Sequence, residues 1–442
     1  VTDDSFNQNL RKELLIKAFQ GRAGVYNLIG KNKNAIKDVQ KGLDLSKKVA
    51  DYKSVVACLL QISSIYAAIS DYERMRSSSK HALSLCQKVN NKKGIAEALN
   101  NIGYVCGSLG DYTKALNCYR KSLKIRRDIN DLEGSAESFH NIADLFIEFG
   151  NYKVAIEYYK KALKVQNKIG EQEGRGYTLN NIGFVYSRLG NYPKALKYYS
   201  ESLKIREKIG HQKGIAYCLS NIGTLYGRLG ETAKEFEYAI RSLEIKKEIG
   251  DDGGAAYSLL NIGGYQLSQR DYTEAKKCFV KAREIAEKIG NKEILRMADV
   301  SLSELSLEQN NLGEATIYAE SALKVSTEMG SKFNVPDVLL LQAKIEFAKD
   351  RWLKAEKSFS EAISIYEEIN QPFELAKAYF YYGEMLKNRG MGNVKRKTEK
   401  AKEYLQKASE IFEKIGAKIW LKKSRNLINQ LQNNSCQQAT LS

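Results

Sequence analysis

The chain has 442 residues, with 70 Lys and Arg against 52 Asp and Glu and a formal net charge of +18. Three prolines, 43% hydrophobic and 28% charged residues suit long amphipathic helices and exclude a sheet-rich or disordered chain. No window approaches the run of about eighteen apolar residues that spans a membrane. The opening VTDDSFNQNLRKELL lacks the basic, apolar and small-residue order of a secretory signal, so a cytoplasmic location is expected.

The chain aligns with itself on a forty-residue register. The most regular column is small: Ala23, Ser63, Gly103, Ala143, Gly183, Gly223, Gly263, Ser303, Ala343 and Gly383. Glycine inside a helix costs about 1 kcal/mol relative to alanine, so its recurrence requires a close helix contact in return. Twelve residues on comes a second column, Ala35, Met75, Ala115, Ala155, Ala195, Glu235, Ala275, Ala315 and Ala355, with Ala401 rejoining after six extra residues near 391–397. Met75 and Glu235 break it. A third column, from Val49 through Ile209 to Ile415, is apolar throughout.

Within one unit Leu99, Ile102, Val105, Cys106 and Leu109 follow helical steps, Leu-Gly-Asp-Tyr interrupts, and Ala115, Leu116, Tyr119 and Leu123 resume. Gly110, Gly150, Gly190 and Gly230 stand where a left-handed C-terminal cap is expected. Each unit reads as helix, tight turn, helix. One such hairpin buries too little apolar surface to stand alone, so the units must stack. The expectation is an all-α solenoid of about ten hairpins over 1–416, a capping helix over 417–432 and a tail over 433–442. Gly253, Gly254, Gly263 and Gly264, with Arg270 replacing a turn glycine, predict a change of superhelical pitch near 230–270.

The small column, the alanine twelve positions on, and Tyr112, Tyr152 and Tyr192 two residues past the turn glycine resemble the tetratricopeptide repeat (TPR) over nearly the whole chain. The unit is longer than the usual repeat and lacks its proline. In this it is similar to the forty-residue subclass of Pins-related adaptors, kinesin light chain and bacterial TPR signalling proteins. The resemblance implies a groove lined by the first helix of each unit and a protein or peptide held there. It also implies a second reading, a regulatory arm whose effector domain lies outside this chain.

Carried onto this sequence, that groove contains Glu97, Asn100, Tyr104, Glu137, His140 and Asp144, an acidic and polar stretch. It continues through Tyr177, Asn180, Phe184, Arg188, Tyr217, Arg228 and Tyr257, where tyrosine and arginine form ladders. Aromatic and arginine side chains dominate binding hot spots, but the tyrosines serve equally as packing between neighbouring helices. A ligand with a basic end and a carboxylate-bearing end fits this polarity. Asn101, Asn141, Asn181, Asn221 and Asn261 recur beside the small column and are expected to hold helices together. The family's carboxylate-clamp asparagine falls on Tyr104, Asp144, Phe184, Thr224 and Gly264, so that mode of binding is not expected.

His81, His140 and His211 lie in different units with no second ligand at metal spacing, and no nucleotide or nucleophile motif occurs, so neither cofactor, metal nor catalysis is expected. Seven cysteines without a CxxC pair read as free thiols. The positive charge is dispersed over second helices and reads mainly as solvated surface, with nucleic-acid binding as the lesser alternative. The exception is 387–402, where Arg389, Lys395, Arg396 and Lys397 form either a basic docking loop or a plain surface insertion.

Overall fold

The computed structural model describes the backbone of residues 2–28, 31–69, 71–329, 334–388 and 394–439, without the side chains of 2–9, 28, 394–396 and 433–439. All 21 elements among the described residues are α-helices. They fall into two compact units, Val1–Glu171 and Gln172–Ser442.

The first unit contains four successive hairpins: α1 (Thr2–Leu28) with α2 (Asn32–Lys48), α3 (Tyr52–Ala68) with α4 (Tyr72–Lys88), α5 (Lys92–Ser108) with α6 (Tyr112–Asp128), and α7 (Leu132–Glu148) with α8 (Tyr152–Ile169). The second contains six: α9 (Gln172–Arg188) with α10 (Tyr192–Lys208), α11 (Gln212–Leu229) with α12 (Thr232–Glu248), α13 (Asp252–Ser268) with α14 (Tyr272–Ile289), α15 (Lys292–Glu308) with α16 (Leu312–Met329), α17 (Val335–Ala348) with α18 (Trp352–Glu368), and α19 (Pro372–Asn388) with α20 (Val394–Ile415). A last helix, α21 (Lys418–Ala439), packs on α20.

Local chemistry sets the helix boundaries. Asp51, Asp71, Asn91, Asp111, Asp131, Asn151, Asn191, Asp251, Asp271 and Asn291 each accept a backbone N–H in the first turn of the helix they precede. Gly110, Gly150, Gly190 and Gly230 take the expected left-handed φ, at 81°, 68°, 72° and 86°. Arg270 adopts φ 63° at the equivalent turn, so the exchange of glycine for arginine leaves the helix boundaries in register. The C-terminal helix runs past 432 to Ala439, because QNNSCQQA contains no glycine or proline to stop it.

The small column does what its glycines required. A Cβ on Gly103 would stand 2.8 Å from the Tyr119 ring, one on Gly183 2.8 Å from the Tyr199 ring, and one on Gly263 2.5 Å from the Phe279 ring. Each of these rings projects from the second helix, sixteen residues on, and is almost wholly buried. Where both partners are small, a hydrogen bond replaces the ring, as between Ser63 and Ser79 at 2.6 Å. A further tie recurs three times: Ser122, Ser202 and Ser242 donate to the carbonyls of Ala96, Gly176 and Ala216. Buried hydroxyls are thus satisfied while fixing the two helices of a hairpin.

The alanine column is fully buried at Ala115, Ala155, Ala195, Ala275, Ala315 and Ala355. Glu235 in the same place presses its carboxyl against Gly227, and burial pushes its pKa up to about 7. The six cysteines among the described residues are unpaired.

Two mutational outcomes follow. Gly183→Ala should destabilise the chain by about 1–3 kcal/mol through the clash with Tyr199, whereas Gly264→Ala, with nothing within 4 Å, should stabilise it by about 0.5–1 kcal/mol. Denaturant unfolding of both variants checks the contrast. Because its folded pKa lies above the ordinary 4.5, Glu235 weakens the fold progressively as pH rises from 4.5 through 7. Glu235→Ala should therefore raise stability by as much as about 3 kcal/mol above that range and by much less in acid, measured as Tm against pH.

Candidate functional site

In the first unit α1, α3, α5 and α7, with the end of α6, line an open cavity of about 800 Å³ that includes Gln20, Gln61, Glu97, Asn101, Arg126 and Glu137. Glu97 is half-buried in its wall, and burial together with the neighbouring Glu137 carboxylate raises its pKa. Among the described residues no hydrogen bond or ion pair reaches the Glu97 carboxylate. Glu137, by contrast, accepts from Asn100 Nδ2 at 2.9 Å and from Arg126 Nη2 at 2.8 Å. Asn100 is not an open groove residue: it is 5% exposed and also accepts from Asn141 Nδ2 at 2.9 Å.

A smaller cavity of about 360 Å³ in the same unit brings Tyr104, Asn141, Asp144 and Glu148 together. His140 faces Asp144 at 3.6 Å and packs edge-on against Tyr159, whose hydroxyl also donates to Asp144. His140 is thereby held against Asp144 and Tyr159.

In the second unit the candidate residues divide. Tyr177 is 42% exposed, while Tyr217 and Tyr257 are half-buried and burial pushes each up to about 12. Asn180 accepts from Asn221 Nδ2 at 2.9 Å, repeating the link from Asn141 to Asn100. Of the recurrent asparagines, Asn141 and Asn221 therefore join consecutive first helices. Phe184 lies under the Arg188 guanidinium at 5.0 Å.

The arginine ladder is held by the chain itself. Arg188 Nη1 donates to Gln371 Oε1 at 2.9 Å, and Arg228 Nη2 lies 3.3 Å from Glu374 Oε1 and 5.1 Å above the Phe373 ring. These partners flank and enter the start of α19, more than a hundred residues on in sequence. Beside them, a Cβ on Gly230 would meet Ile419 at 2.6 Å. A forty-residue register has no column for contacts at this separation.

Of the proposed basic loop, Arg389 and the side chains of Lys395 and Arg396 lie outside the described residues. Lys397 belongs to α20, so from Val394 onward this segment is helix and not loop. Its run of lysine, glutamate and alanine favours a helix once Gly392 is passed.

One set of functional side chains escaped the sequence reading. Arg126, Gln166, Arg206 and Lys246 share a register position, and all are at most 5% exposed. A Cβ eight residues on would strike three of them: Gly134 meets Arg126 Nε at 2.7 Å, Gly254 meets Lys246 Cδ at 3.0 Å, and Gly214 meets Arg206. The signal was present as a cation followed eight residues later by glycine. Arg126 Nη1 donates to Gly134 O at 2.6 Å and Ser138 Oγ at 2.9 Å, and Lys246 Nζ donates to Ser220 Oγ at 2.7 Å and Ser258 Oγ at 3.0 Å. Burial lowers Lys246 to about 8.

Among the described residues no group of three His, Cys, Asp or Glu forms a metal cluster, and no helix is long and apolar enough to cross a membrane.

Consecutive hairpins with a polar first-helix face define a helical-repeat protein of the binding class. Residues 55–128, 94–168 and 175–248 match the tetratricopeptide repeat model, and 376–410 match the Sel1 repeat. The chain thus contains tetratricopeptide repeats over 55–168 and 175–248 and a Sel1-type repeat over 376–410. None of the curated proteins matches it. Similar solved structures include a Rap protein complexed with competence and sporulation factor, at 14% identity and TM-score 0.51 over 87% of this chain and 99% of that one. The apo quorum sensor NprR from B. thuringiensis is 17% identical, with TM-score 0.52 over 77% of this chain and 98% of its own. A signal-transduction ATPase with numerous domains and a tetratricopeptide repeat sensor, from Pyrococcus horikoshii, is 18% identical, with TM-score 0.53 over 78% of this chain and 55% of its own. At these identities the likeness is one of fold.

The contact made by α19 generates a test. Burial raises the pKa of Glu374, but Lys377, Arg228 and Arg188 outweigh it and hold the carboxyl below its ordinary value. A depressed carboxyl contributes stability at neutral pH that is lost as pH falls through its folded pKa. Glu374→Gln should cost about 3 kcal/mol at neutral pH, with the gap from the parent chain closing in acid, read by denaturant unfolding at a series of pH values.

Proposed function

We infer that this protein captures a peptide or an extended segment of a partner protein on its first-helix face and works without catalysing a reaction. The observation that carries this reading is the unpartnered, half-buried Glu97 carboxylate in the wall of the 800 Å³ cavity of the first unit. A half-buried carboxylate on which Arg126 and Lys93 act only from a distance, with no bond to either, favours a ligand that bonds to it directly, such as a lysine or arginine side chain or an amino terminus. Asn101 and Gln61 in the same wall can donate to and accept from a peptide backbone.

The second reading, a sensing arm of a larger signalling protein, draws support from fold likeness to proteins described as a quorum sensor and as a tetratricopeptide repeat sensor. The two readings share the same capture step and differ in what the capture controls.

Selection of a random-sequence displayed peptide library on the full chain tests this. Enriched sequences should carry Lys or Arg, and Glu97→Lys should abolish their retention while leaving helicity and Tm unchanged. An enriched set without basic residues, or retention untouched by Glu97→Lys, rules the reading out.

A further inference from the structure

Three buried cations occupy equivalent places, yet only two have acceptors. Arg206 is 2% exposed, its Nε lacks a hydrogen-bond partner as Arg126 Nε also does, and, unlike at Arg126, no hydrogen bond or ion pair among the described residues reaches its Nη1 or Nη2. Its guanidinium lies over the Tyr177 ring, 4.5 Å away. A buried charge without an acceptor costs far more than one aromatic contact returns.

The cause is a set of three exchanges. Around Arg126 stand Asp131, with Oδ2 at 3.9 Å from Nε, Glu137 at 2.8 Å and Ser138 at 2.9 Å. The residues at the same offsets from Arg206 are His211, Tyr217 and Cys218. Two carboxylates and a hydroxyl are gone, and among the described residues no carboxylate bonds to Arg206 in their place; Glu173 faces His211 instead.

The first exchange also strips a helix end. Asn91, Asp131 and Asp251 accept from the N–H of Gly94, Gly134 and Gly254, but His211 gives α11 no side-chain cap. A Cβ on Gly214 would collide with both Arg206 Nη1 and His211 Nδ1, so the guanidinium stands at this uncapped N-terminal turn. His211 Nδ1 is itself buried without a partner, while Nε2 faces Glu173 at 4.0 Å. An unpaired guanidinium and the positive end of an eighteen-residue helix converge on one place.

We propose that Arg206 and the N-terminus of α11 bind the carboxylate of a ligand, with the exposed ring of Tyr177 as its movable cover on the first-helix face. A carboxylate presents two coplanar oxygens that match the guanidinium fork. A phosphate carries further oxygens beyond the two that the guanidinium fork matches. The site lies on a second helix and differs from the first-helix asparagine clamp of the family. That the carboxylate belongs to a peptide rests on the function proposed above; the site itself does not.

The experiment is thermal unfolding of the full chain in sodium acetate or sodium phosphate against sodium chloride at matched ionic strength. Acetate should raise the Tm of the parent chain with millimolar half-saturation. Arg206→Met should lose that response and melt higher in chloride, since it removes an unpaired buried charge. The pair Tyr217→Glu with Cys218→Ser rebuilds the surroundings of Arg126, so it too should gain stability and lose the response, and it carries the test if Arg206→Met does not fold. No response in the parent chain, or an equal response in either variant, overturns the proposal. A larger shift with phosphate than with acetate overturns the carboxylate assignment. Failure of the peptide selection at Glu97 leaves this readout intact, so the two proposals fail separately.

Discussion

The close approach of the two helices within each hairpin is the constraint on which the rest of this protein depends. Gly103, Gly183 and Gly263 leave room for Tyr119, Tyr199 and Phe279, whose rings would otherwise overlap a Cβ at 2.5 to 2.8 Å. The cost of glycine in a helix interior is offset by burial of a whole aromatic side chain. With that distance set, Ser122, Ser202 and Ser242 fall within reach of carbonyls on the partner helix. Each hairpin then presents one apolar flank to the next, and stacking completes a core that no single hairpin has.

The same economy of space explains the buried cations. A long side chain leaving the end of a second helix reaches the start of the next first helix only where glycine stands eight residues on, as at Gly134, Gly214 and Gly254. Once there, its charge depends on whatever the neighbouring first helix supplies. Glu137 and Ser138 accept from the Nη groups of Arg126, two serines accept from Lys246, and the Nη groups of Arg206 find neither. A repeat protein can thus vary its chemistry by one or two residues per unit while its packing columns stay unchanged.

Repetition made most of the fold legible in advance. Helix boundaries, turn glycines and the small and alanine columns recur often enough that each unit checks the others, and local propensity agrees with stacking at nearly every turn. The candidate site was legible only where it follows the register: Glu97 and Glu137 share a cavity wall as first-helix residues should. Asn100 was read as open, yet it is buried because Glu137 and Asn141 both bond to it from the next hairpin, a relation between units that single-unit periodicity does not encode. Arg126, Arg206 and Lys246 were hidden because charged residues near the end of a helix ordinarily mean solvent. Only the paired glycine marks them as buried.

The contacts of Arg188 and Arg228 with Gln371, Phe373 and Glu374 lie beyond any register argument, since they join helices more than a hundred residues apart within the second unit. Their effect is to remove two of the groove's cations from the surface a ligand would meet there. Arg206, on the neighbouring second helix, has no such internal acceptor. The two kinds of arginine therefore divide the work: those bound by α19 hold the second unit's helices in place, and the unpaired one leaves a positive site that an anion from outside can complete. Charge retained without a bonded internal partner, at Glu97 in one unit and at Arg206 in the other, is what distinguishes the two proposed binding positions from the many structural ion pairs.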